Sequence, residues 1–247
     1  MPLRHLTAAV LACALAGPAV AQPKNSATTP EPRPGGWVQR HEQFLKRAAM
    51  GNVDVLFLGD SITQGWERDG KEAWARHFEP QKAANFGIGG DRTQHVLWRI
   101  TTGKELEGIN PKVAVLMIGT NNSRDNSAEE IAAGVEAIVQ ELRKQKPDMK
   151  VLLLGVFPRS ARPGKDLKDT NRVAANELNT KLPDVNKRIS KLDDGKTVKY
   201  LDIGPKFLDS EGGLSKDVMP DYLHLSPKGY EIWAAAIKEP LAELLKK

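Results

Sequence analysis

The stretch Val53-Asp54-Val55-Leu56-Phe57-Leu58-Gly59-Asp60-Ser61 decides the fold of this chain. Its first six residues are almost all apolar and partly β-branched, and Gly59 ends the run. A short apolar run of this kind is typical of a strand buried on both faces of a sheet. Two polar residues, Asp60 and Ser61, follow at once. The stretch therefore predicts a central strand with polar groups at its carboxyl end.

Four further apolar runs repeat this pattern along the chain, at residues 83–86, 113–118, 151–157 and 198–203. Helical periodicity lies between or around them, at residues 38–50, after Ser127, and at 167–192 and 227–245. Ser127 and Glu130 have the spacing of a capping box, which marks a helix start. Strands separated by helices favour right-handed β-α-β units, so we expect an α/β domain with a five-stranded parallel sheet.

The first 21 residues have the pattern of an export signal. Arg4 is followed by the uncharged, mostly apolar stretch 6–16, and Ala19-Val20-Ala21 has the small-x-small form of a signal-peptidase site. The apolar stretch is shorter than the roughly 20 residues that span a bilayer. We therefore predict export to the periplasm or beyond the cell. A buried N-terminal helix, and a lipoprotein processed at Cys13, are the alternatives.

Residues 22–36 contain four prolines and end in two glycines, which predicts an extended, solvated tether before one globular domain at 37–247. Cleavage after Ala21 would leave no cysteine, and so neither a disulfide nor a thiolate metal site. Hydrophobic residues make up 40% and charged residues 27%, which excludes collagen-like, coiled-coil and wholly disordered chains. The basic excess is small and forms no stripe, so we expect no nucleic-acid partner.

Polar residues follow the predicted strands in a chemically coherent set. Ser61 follows the first strand, Gly89-Gly90 the second, Asn121 the third, and the pair Asp221 and His224 precedes the last helix. Ligands of parallel sheets bind beyond the carboxyl ends of the strands. A hydroxyl, a backbone amide, a carboxamide and an Asp/His pair are what acyl transfer through a serine requires. Together these residues predict a serine esterase site.

Each of these signals has an ordinary alternative when it is taken alone. Asp60 and Ser61 are common helix caps, Gly89-Gly90 could be a plain turn, and Asn121 could cap a helix. A lone histidine such as His224 is more often structural. Among the remaining histidines, His41 and His77 lie in charged stretches and are expected at the surface, and His95 could support the pocket. No pair has metal-ligand spacing, and we predict no metal and no cofactor.

The four segments in this order resemble the sequence blocks of the SGNH/GDSL hydrolase family. Gly59-Asp60-Ser61 is similar to the first block, 85–90 to the second, Gly119-Thr120-Asn121-Asn122 to the third and Asp221-Tyr222-Leu223-His224 to the last. Residues 85–100 are similar to the catalytic subunits of the intracellular platelet-activating-factor acetylhydrolase. The resemblance covers about residues 53 to 245. It implies a flavodoxin-like fold with three layers, α/β/α.

The resemblance also implies roles for individual residues. Ser61 would be the nucleophile, His224 the base and Asp221 its orienting partner, and the oxyanion would be held by Ser61, Gly90 and Asn121. The implied activity is hydrolysis of short-chain, in particular acetyl, esters without a cofactor. The alternatives are a lipase, phospholipid acetylhydrolase or lysophospholipase of the same mechanism and, in another class, a non-catalytic glycan-binding module.

The export signal departs from the intracellular relatives and leaves the substrate open between an acetylated glycan and a lipid. Three aromatic residues are candidates for the pocket wall, although core positions would suit them equally: Trp66, Phe157 and Tyr222. The sequence does not specify an oligomeric state.

Overall fold

The structure, a computed structural model, describes residues 25–160 and 177–246, with side chains from 181 onward in the second range. The predicted signal peptide, Cys13 and residues 161–176 lie outside the described residues. The helices are α1 (Gly36–Ala49), α2 (Ser61–Gln64), α3 (Lys71–His77), α4 (Thr93–Ile100), α5 (Ala128–Gln145), α6 (Glu177–Ile189) and α7 (Pro227–Lys246). The strands are β1 (Val55–Gly59), β2 (Ala83–Gly87), β3 (Val113–Met117), β4 (Lys150–Leu154) and β5 (Val198–Leu201).

The five strands form one parallel sheet in the order β2-β1-β3-β4-β5. This is the flavodoxin-like doubly wound order. The chain places β2 on one side of β1 and then returns to place β3, β4 and β5 on the other side. Gly59 at the end of β1 lies level with Gly87 of β2 and Met117 of β3. The predicted parallel sheet is therefore confirmed, and the loops that follow β1, β2 and β3 meet at one edge.

Two hydrophobic cores lie on opposite faces of the sheet and make three layers. Leu56 and Leu58 of β1 belong to the core packed by α1, α4, α5 and α6. Val55 and Phe57 belong to the other core, which α7 and the α2–α3 region cover. Alternate residues of a strand point to opposite faces, so a strand covered on both sides must be apolar throughout. This explains why the β1 run has almost no polar interruption.

Helix boundaries follow local signals in the sequence. Ser127 and Glu130 form the predicted capping box at the start of α5, with both side-chain-to-backbone hydrogen bonds present. The Ser226 hydroxyl accepts from the Gly229 N–H, and α7 begins at Pro227 in the first helical position. Among residues 25–160 and 177–246, none of the helices combines the length and the apolar character needed to cross a bilayer.

The N-terminal segment, predicted to be a solvated tether at residues 22–36, contacts the domain at several points, although most of residues 30–35 are exposed. Ala27 is fully buried, and its carbonyl accepts from the Thr93 hydroxyl at 2.8 Å. The Glu31 N–H donates to the Gln94 carbonyl, and the Arg33 side chain bonds the loop after β2. Proline density removes regular hydrogen bonding within a segment but leaves its carbonyls and side chains free to bond elsewhere. This segment is therefore part of the wall around the candidate site.

Candidate active site

A sharp turn presents Ser61 at the carboxyl end of β1. The strand ends at Gly59, Asp60 caps α2 by accepting from the Ile62 N–H at 2.9 Å, and Ser61 is the first helical residue. Gly87 of the neighbouring strand approaches this helix so closely that an added Cβ would lie 2.3 Å from the Gln64 nitrogen. The glycine at this contact lets α2 sit directly on the ends of the strands.

A second tight turn brings Asp221 and His224 side by side. One carboxylate oxygen of Asp221 accepts from the N–H groups of Leu223 and His224, at 3.0 and 2.7 Å. Tyr222 adopts a left-handed conformation within this turn, with φ of 58°, which is uncommon for a non-glycine residue. The backbone bonds to Asp221 fix the turn, so the second carboxylate oxygen remains directed at the imidazole.

Ser61, His224 and Asp221 lie in one hydrogen-bonded chain, although 163 residues separate the serine from the histidine. The Ser61 Oγ is 2.9 Å from His224 Nε2, and His224 Nδ1 is 2.7 Å from Asp221 Oδ2. Burial raises the pKa of Asp221, but the hydrogen bonds from His224 outweigh it and lower that pKa to about 2. The carboxylate is thus ionised and accepts the Nδ1 proton, which leaves Nε2 free to accept from the serine hydroxyl.

The turn after β2 passes beside Ser61 and carries hydrogen-bond donors. Residues Ile88 to Asp91 form a tight turn closed by the Asp91 N–H on the Ile88 carbonyl, and a Cβ placed on Gly89 would lie 3.7 Å from that of Ser61. Asn121 Nδ2 donates to the Asp91 carbonyl at 2.9 Å with one of its two hydrogens. Within the described ranges the Gly90 N–H has no acceptor. The second Asn121 hydrogen has no acceptor among these residues either, so both donors are available to a ligand.

A buried charge network supports this turn from behind. Arg99 is fully buried and bonds Asp91 at 2.8 Å and both carboxylate oxygens of Glu105 at 2.8 to 3.0 Å. His41 bonds the same Glu105 at 2.7 Å and is only 5% exposed. The expectation that His41 lies at the surface is therefore wrong. His41 lies on the inner face of α1, next to the buried carboxylate of Glu105. Its neighbours in sequence are charged because they lie on other faces of the helix.

The aromatic candidates for the pocket wall lie in the core instead. Trp66 is 1% exposed and packs against Tyr230 and Trp233. Tyr222 is fully buried although it lies between Asp221 and His224. Phe157 is 1% exposed and packs on Phe207. None of the three rings is therefore accessible to a ligand. The structure favours core positions for them, which was the alternative to a place in the pocket wall.

Arg159 is a residue near the site that the sequence reasoning missed. It follows β4, donates to the Thr120 hydroxyl at 3.2 Å, and feels the charges of Asp60 and Asp221. It also lines a cavity of about 410 Å³ beyond the ends of β4 and β5, whose wall includes Leu182 and Tyr200 but not the serine or histidine. The rule that functional groups follow parallel strands would have identified Arg159, had it been applied to β4.

A metal site would need several His, Cys, Asp or Glu side chains close together. In the part of the chain that the structure describes, no group of three or more His, Cys, Asp or Glu side chains is arranged to hold a metal ion. His95 uses its Nδ1 to accept from the Arg92 N–H at 3.0 Å, and burial lowers its pKa to about 4. His95 is therefore a neutral side chain that caps α4.

Comparison with known proteins gives consistent matches. Residues 57–232 match the GDSL-like lipase/acylhydrolase family. The alpha2 subunit of platelet-activating factor acetylhydrolase IB from Rattus norvegicus is 41% identical over 209 residues, which cover 85% of this chain and 83% of the relative. The chain also has the fold of a GDSL-like lipase from Bacteroides thetaiotaomicron, with TM-score 0.63, 19% identity, and coverage of 82% of this chain and 97% of that one.

An acetyl xylan esterase, AlAXEase, shares the fold as well, with TM-score 0.57 and 24% identity over 76% of this chain and 98% of that one. The fold, the family match over most of the domain and the identity to acetylhydrolase subunits agree. The chain belongs to the GDSL-like lipase/acylhydrolase family and is an esterase/acylhydrolase.

Proposed function

We propose that this protein hydrolyses short-chain carboxylic esters, acetyl esters in particular, with Ser61 as nucleophile, His224 as general base and Asp221 as the group that orients the imidazole. The observation that carries the proposal is the pair of contacts at His224, 2.9 Å from Nε2 to the serine oxygen and 2.7 Å from Nδ1 to the carboxylate. A nucleophile within hydrogen-bond reach of a base that a third group orients is the arrangement that activates a serine.

In the first half of the reaction, the Ser61 Oγ attacks the ester carbonyl carbon while its proton moves to His224 Nε2. The carbonyl oxygen becomes an oxyanion, and Asp221 stabilises the imidazolium. When the tetrahedral intermediate collapses, the bond to the alcohol oxygen breaks and the Nε2 proton passes to that oxygen. Water then attacks the acyl-enzyme and gives a proton to Nε2, which returns it to Ser61 as the carboxylic acid leaves.

The oxyanion is held by three donors, the N–H groups of Ser61 and Gly90 and the side-chain NH2 of Asn121. Support comes from the Gly90 N–H and the second Asn121 hydrogen, which have no acceptor among the described residues and belong to, or bond, the turn beside Ser61. Donors fixed in advance by the protein stabilise developing charge without reorganisation, and loss of one costs about 10²- to 10³-fold in kcat.

Two acetyl-ester substrate classes are supported by different observations. Identity of 41% to acetylhydrolase IB subunits favours an acetyl phospholipid or a related lipid ester. The export signal favours an acetylated polysaccharide, and a fold shared with an acetyl xylan esterase is compatible with it. We propose the acetylated glycan as the primary substrate, with the lipid ester as the second candidate.

We also propose that the chain is exported and cleaved after Ala21, on the basis of the Arg4 n-region, the apolar stretch and the Ala19-Val20-Ala21 site. Recovery of the protein from the periplasm or medium with residue 22 at its N-terminus would support this. A cytosolic protein that keeps its first 21 residues would contradict it, and a lipid-modified Cys13 would replace it with lipoprotein processing.

Turnover of p-nitrophenyl acetate tests the chemistry. Wild-type protein should hydrolyse it, Ser61→Ala should lose nearly all turnover, and Asp221→Asn should lose about 10⁴-fold in kcat because the imidazole tautomer is no longer fixed. Ser210→Ala, at an exposed serine in a turn, is the matched control and should retain wild-type rates. Full activity of Ser61→Ala would refute the assignment, and an inactive wild type would favour a glycan-binding module.

Release of acetate from acetylated xylan, compared with an acetyl phospholipid at equal ester concentration, separates the substrate classes. We expect the larger kcat/KM on the xylan. A ratio that favours the phospholipid by tenfold or more would replace the glycan proposal with the lipid one and leave the catalytic residues unaffected.

A further inference from the structure

We propose that Arg33 is a positioning residue for the oxyanion donor at Gly90: it holds the Gly89–Gly90 peptide plane so that the Gly90 N–H remains directed toward the reacting ester. This inference rests on the proposed function, and it assigns a role to a segment that the sequence predicts to be a solvated tether. The contact that supports it is a hydrogen bond of 2.8 Å from the Arg33 guanidinium to the Gly89 carbonyl oxygen.

The bonded carbonyl belongs to the same peptide unit as the donor. Gly89 contributes the C=O and Gly90 the N–H, and in a trans peptide these two groups point in opposite directions. None of the described peptide bonds is cis. The guanidinium on the oxygen side therefore fixes the N–H on the other side. It also withdraws electron density from the amide, which strengthens the N–H as a donor.

This peptide unit needs an external restraint because it is the central unit of a two-glycine turn. The Ile88 carbonyl accepts from the Asp91 N–H, and Gly90 in the third position has φ of +77°, the geometry of a type II turn. A type I turn differs mainly by a flip of this central peptide, and glycine adopts both forms readily. A flip would reverse the Gly90 N–H.

Arg33 is itself well anchored. The same guanidinium nitrogen bonds the buried Asp91 carboxylate at 3.1 Å, and Trp37 Nε1 and Arg99 also bond that carboxylate. On the far side of the turn, Gln64 accepts from the Gly89 N–H at 2.7 Å. The guanidinium also lies over Gly90, where an added Cβ would come within 3.0 Å of it. The turn is thus held from both sides, and Arg33 is the partner on the carbonyl.

Arg40 provides a matched comparison in the same region. It bonds the Gly87 carbonyl at 2.8 Å and Glu67 at 2.8 Å. The N–H of that peptide unit, on Ile88, already donates to the Gly59 carbonyl within the fold. Arg40 therefore anchors the same loop without controlling a donor that faces a ligand. Its removal should affect stability without affecting transition-state binding.

The experiment measures kcat and KM for p-nitrophenyl acetate, and thermal stability, in Arg33→Met, Arg33→Lys and Arg40→Met. Arg33→Met should lower kcat about 10- to 100-fold, less than the 10²- to 10³-fold expected for outright loss of a donor, with KM within about twofold. Arg33→Lys, which keeps a cation and a donor, should recover part of the loss. Arg40→Met should lower the melting temperature about as much as Arg33→Met does, but its kcat should stay within about twofold of wild type.

Inhibition by a trifluoromethyl ketone gives an independent readout, because addition of Ser61 to the ketone creates an alkoxide in the same position as the oxyanion. Its affinity should weaken in Arg33→Met by the same factor as kcat/KM. The inference is overturned if Arg33→Met keeps wild-type kcat, if only KM changes, or if Arg40→Met loses as much activity. The activity of Ser61→Ala distinguishes a failure of the Arg33 inference from a failure of the proposed function. If it is inactive, such a result refutes the role of Arg33 alone; if it is fully active, the proposed function fails as well.

Discussion

Replacing Asp60 by asparagine should change the free energy of unfolding, relative to wild type, in a direction that favours the variant more and more as the pH rises. Asp60 is fully buried; one carboxylate oxygen accepts from the Ile62 N–H, and the other has no hydrogen-bond partner in the part of the chain that the structure describes. Burial raises the pKa of this carboxyl from its ordinary 3.8 to about 7, against the lowering effect of the Ile62 hydrogen bond.

The sign of the effect follows from proton linkage. The folded protein holds the Asp60 proton up to about pH 7, whereas the unfolded chain releases it near pH 3.8. The contribution to stability is therefore fully present below pH 3.8 and is lost as the pH rises through 7. With 1.36 kcal/mol for each unit of pKa difference, the free energy of unfolding loses about 2.5 kcal/mol between pH 5 and pH 8 through this group.

Asparagine removes this loss without removing the helix cap. It cannot ionise, its side-chain oxygen can still accept from the Ile62 N–H, and asparagine and aspartate are equally good N-caps. Urea unfolding of wild type and Asp60→Asn at pH 5, 6, 7 and 8 measures the effect, since other titrating groups cancel in the difference. The difference should grow in favour of the variant by about 2.5 kcal/mol over that range.

Asp184→Asn is the control for this measurement. Asp184 is an exposed carboxyl on α6, paired with Arg188 one turn later. Such surface pairs contribute little, so its difference from wild type should stay within about 0.5 kcal/mol at each pH. A difference for Asp60→Asn that stays constant from pH 5 to 8, or falls, would refute the reasoning that an uncompensated buried carboxyl holds its proton near neutrality.

Three further outcomes are expected. Asn121→Ala should lower kcat on p-nitrophenyl acetate by about 10²- to 10³-fold with little change in melting temperature, and a loss under threefold would contradict its role as a donor. Arg99→Met should cost about 3–5 kcal/mol in urea unfolding because the buried carboxylates of Asp91 and Glu105 lose the guanidinium that they share; a cost below 1 kcal/mol would be inconsistent with the network. Gly134→Ala should lower the free energy of unfolding by about 1–3 kcal/mol although alanine favours helices by about 1 kcal/mol, because its Cβ would lie 2.5 Å from the Thr93 hydroxyl oxygen and 2.7 Å from the Ala27 carbonyl oxygen. A stabilised variant would show that Thr93 and the N-terminal segment move aside without cost.

The centre of the sheet could be predicted because β1, β3 and β4 are buried on both faces. Strands of this kind must be apolar at every position, and the run that ends at Gly59 is such a sequence. The predicted ends were less accurate: the fourth strand ends at Leu154 instead of residue 157, since a strand stops where its neighbour no longer pairs. Pairing partners are a property of the assembled sheet and leave no local signal in one run.

The meeting of Ser61 with His224 could be anticipated from topology, because the carboxyl ends of parallel strands share one edge. Their roles in catalysis remain predictions. The burial of Trp66 and Tyr222 could not be anticipated, since an aromatic residue beside a catalytic motif has the same composition whether it faces the ligand or the core. Arg33 left no signal either. Its significance depends on a contact with Gly89, 56 residues away, across a segment whose prolines favour extended backbone.

The buried charges around Asp91 are better understood as a device for geometry than as a source of stability. Asp91 and Arg99 form a fully buried ion pair. The desolvation of such pairs commonly offsets their attraction, and well-packed apolar residues often serve a fold equally well. Apolar residues could not, however, hold the Asp91 side chain at a fixed point. The Asp91 carboxylate accepts a hydrogen bond from Arg33, and the Asp91 main-chain carbonyl accepts one from the Asn121 carboxamide. Arg33 in turn bonds the peptide unit of the Gly90 N–H, and Gly90 and Asn121 are both proposed oxyanion donors. The network therefore sets the positions of these two donors relative to Ser61 at once.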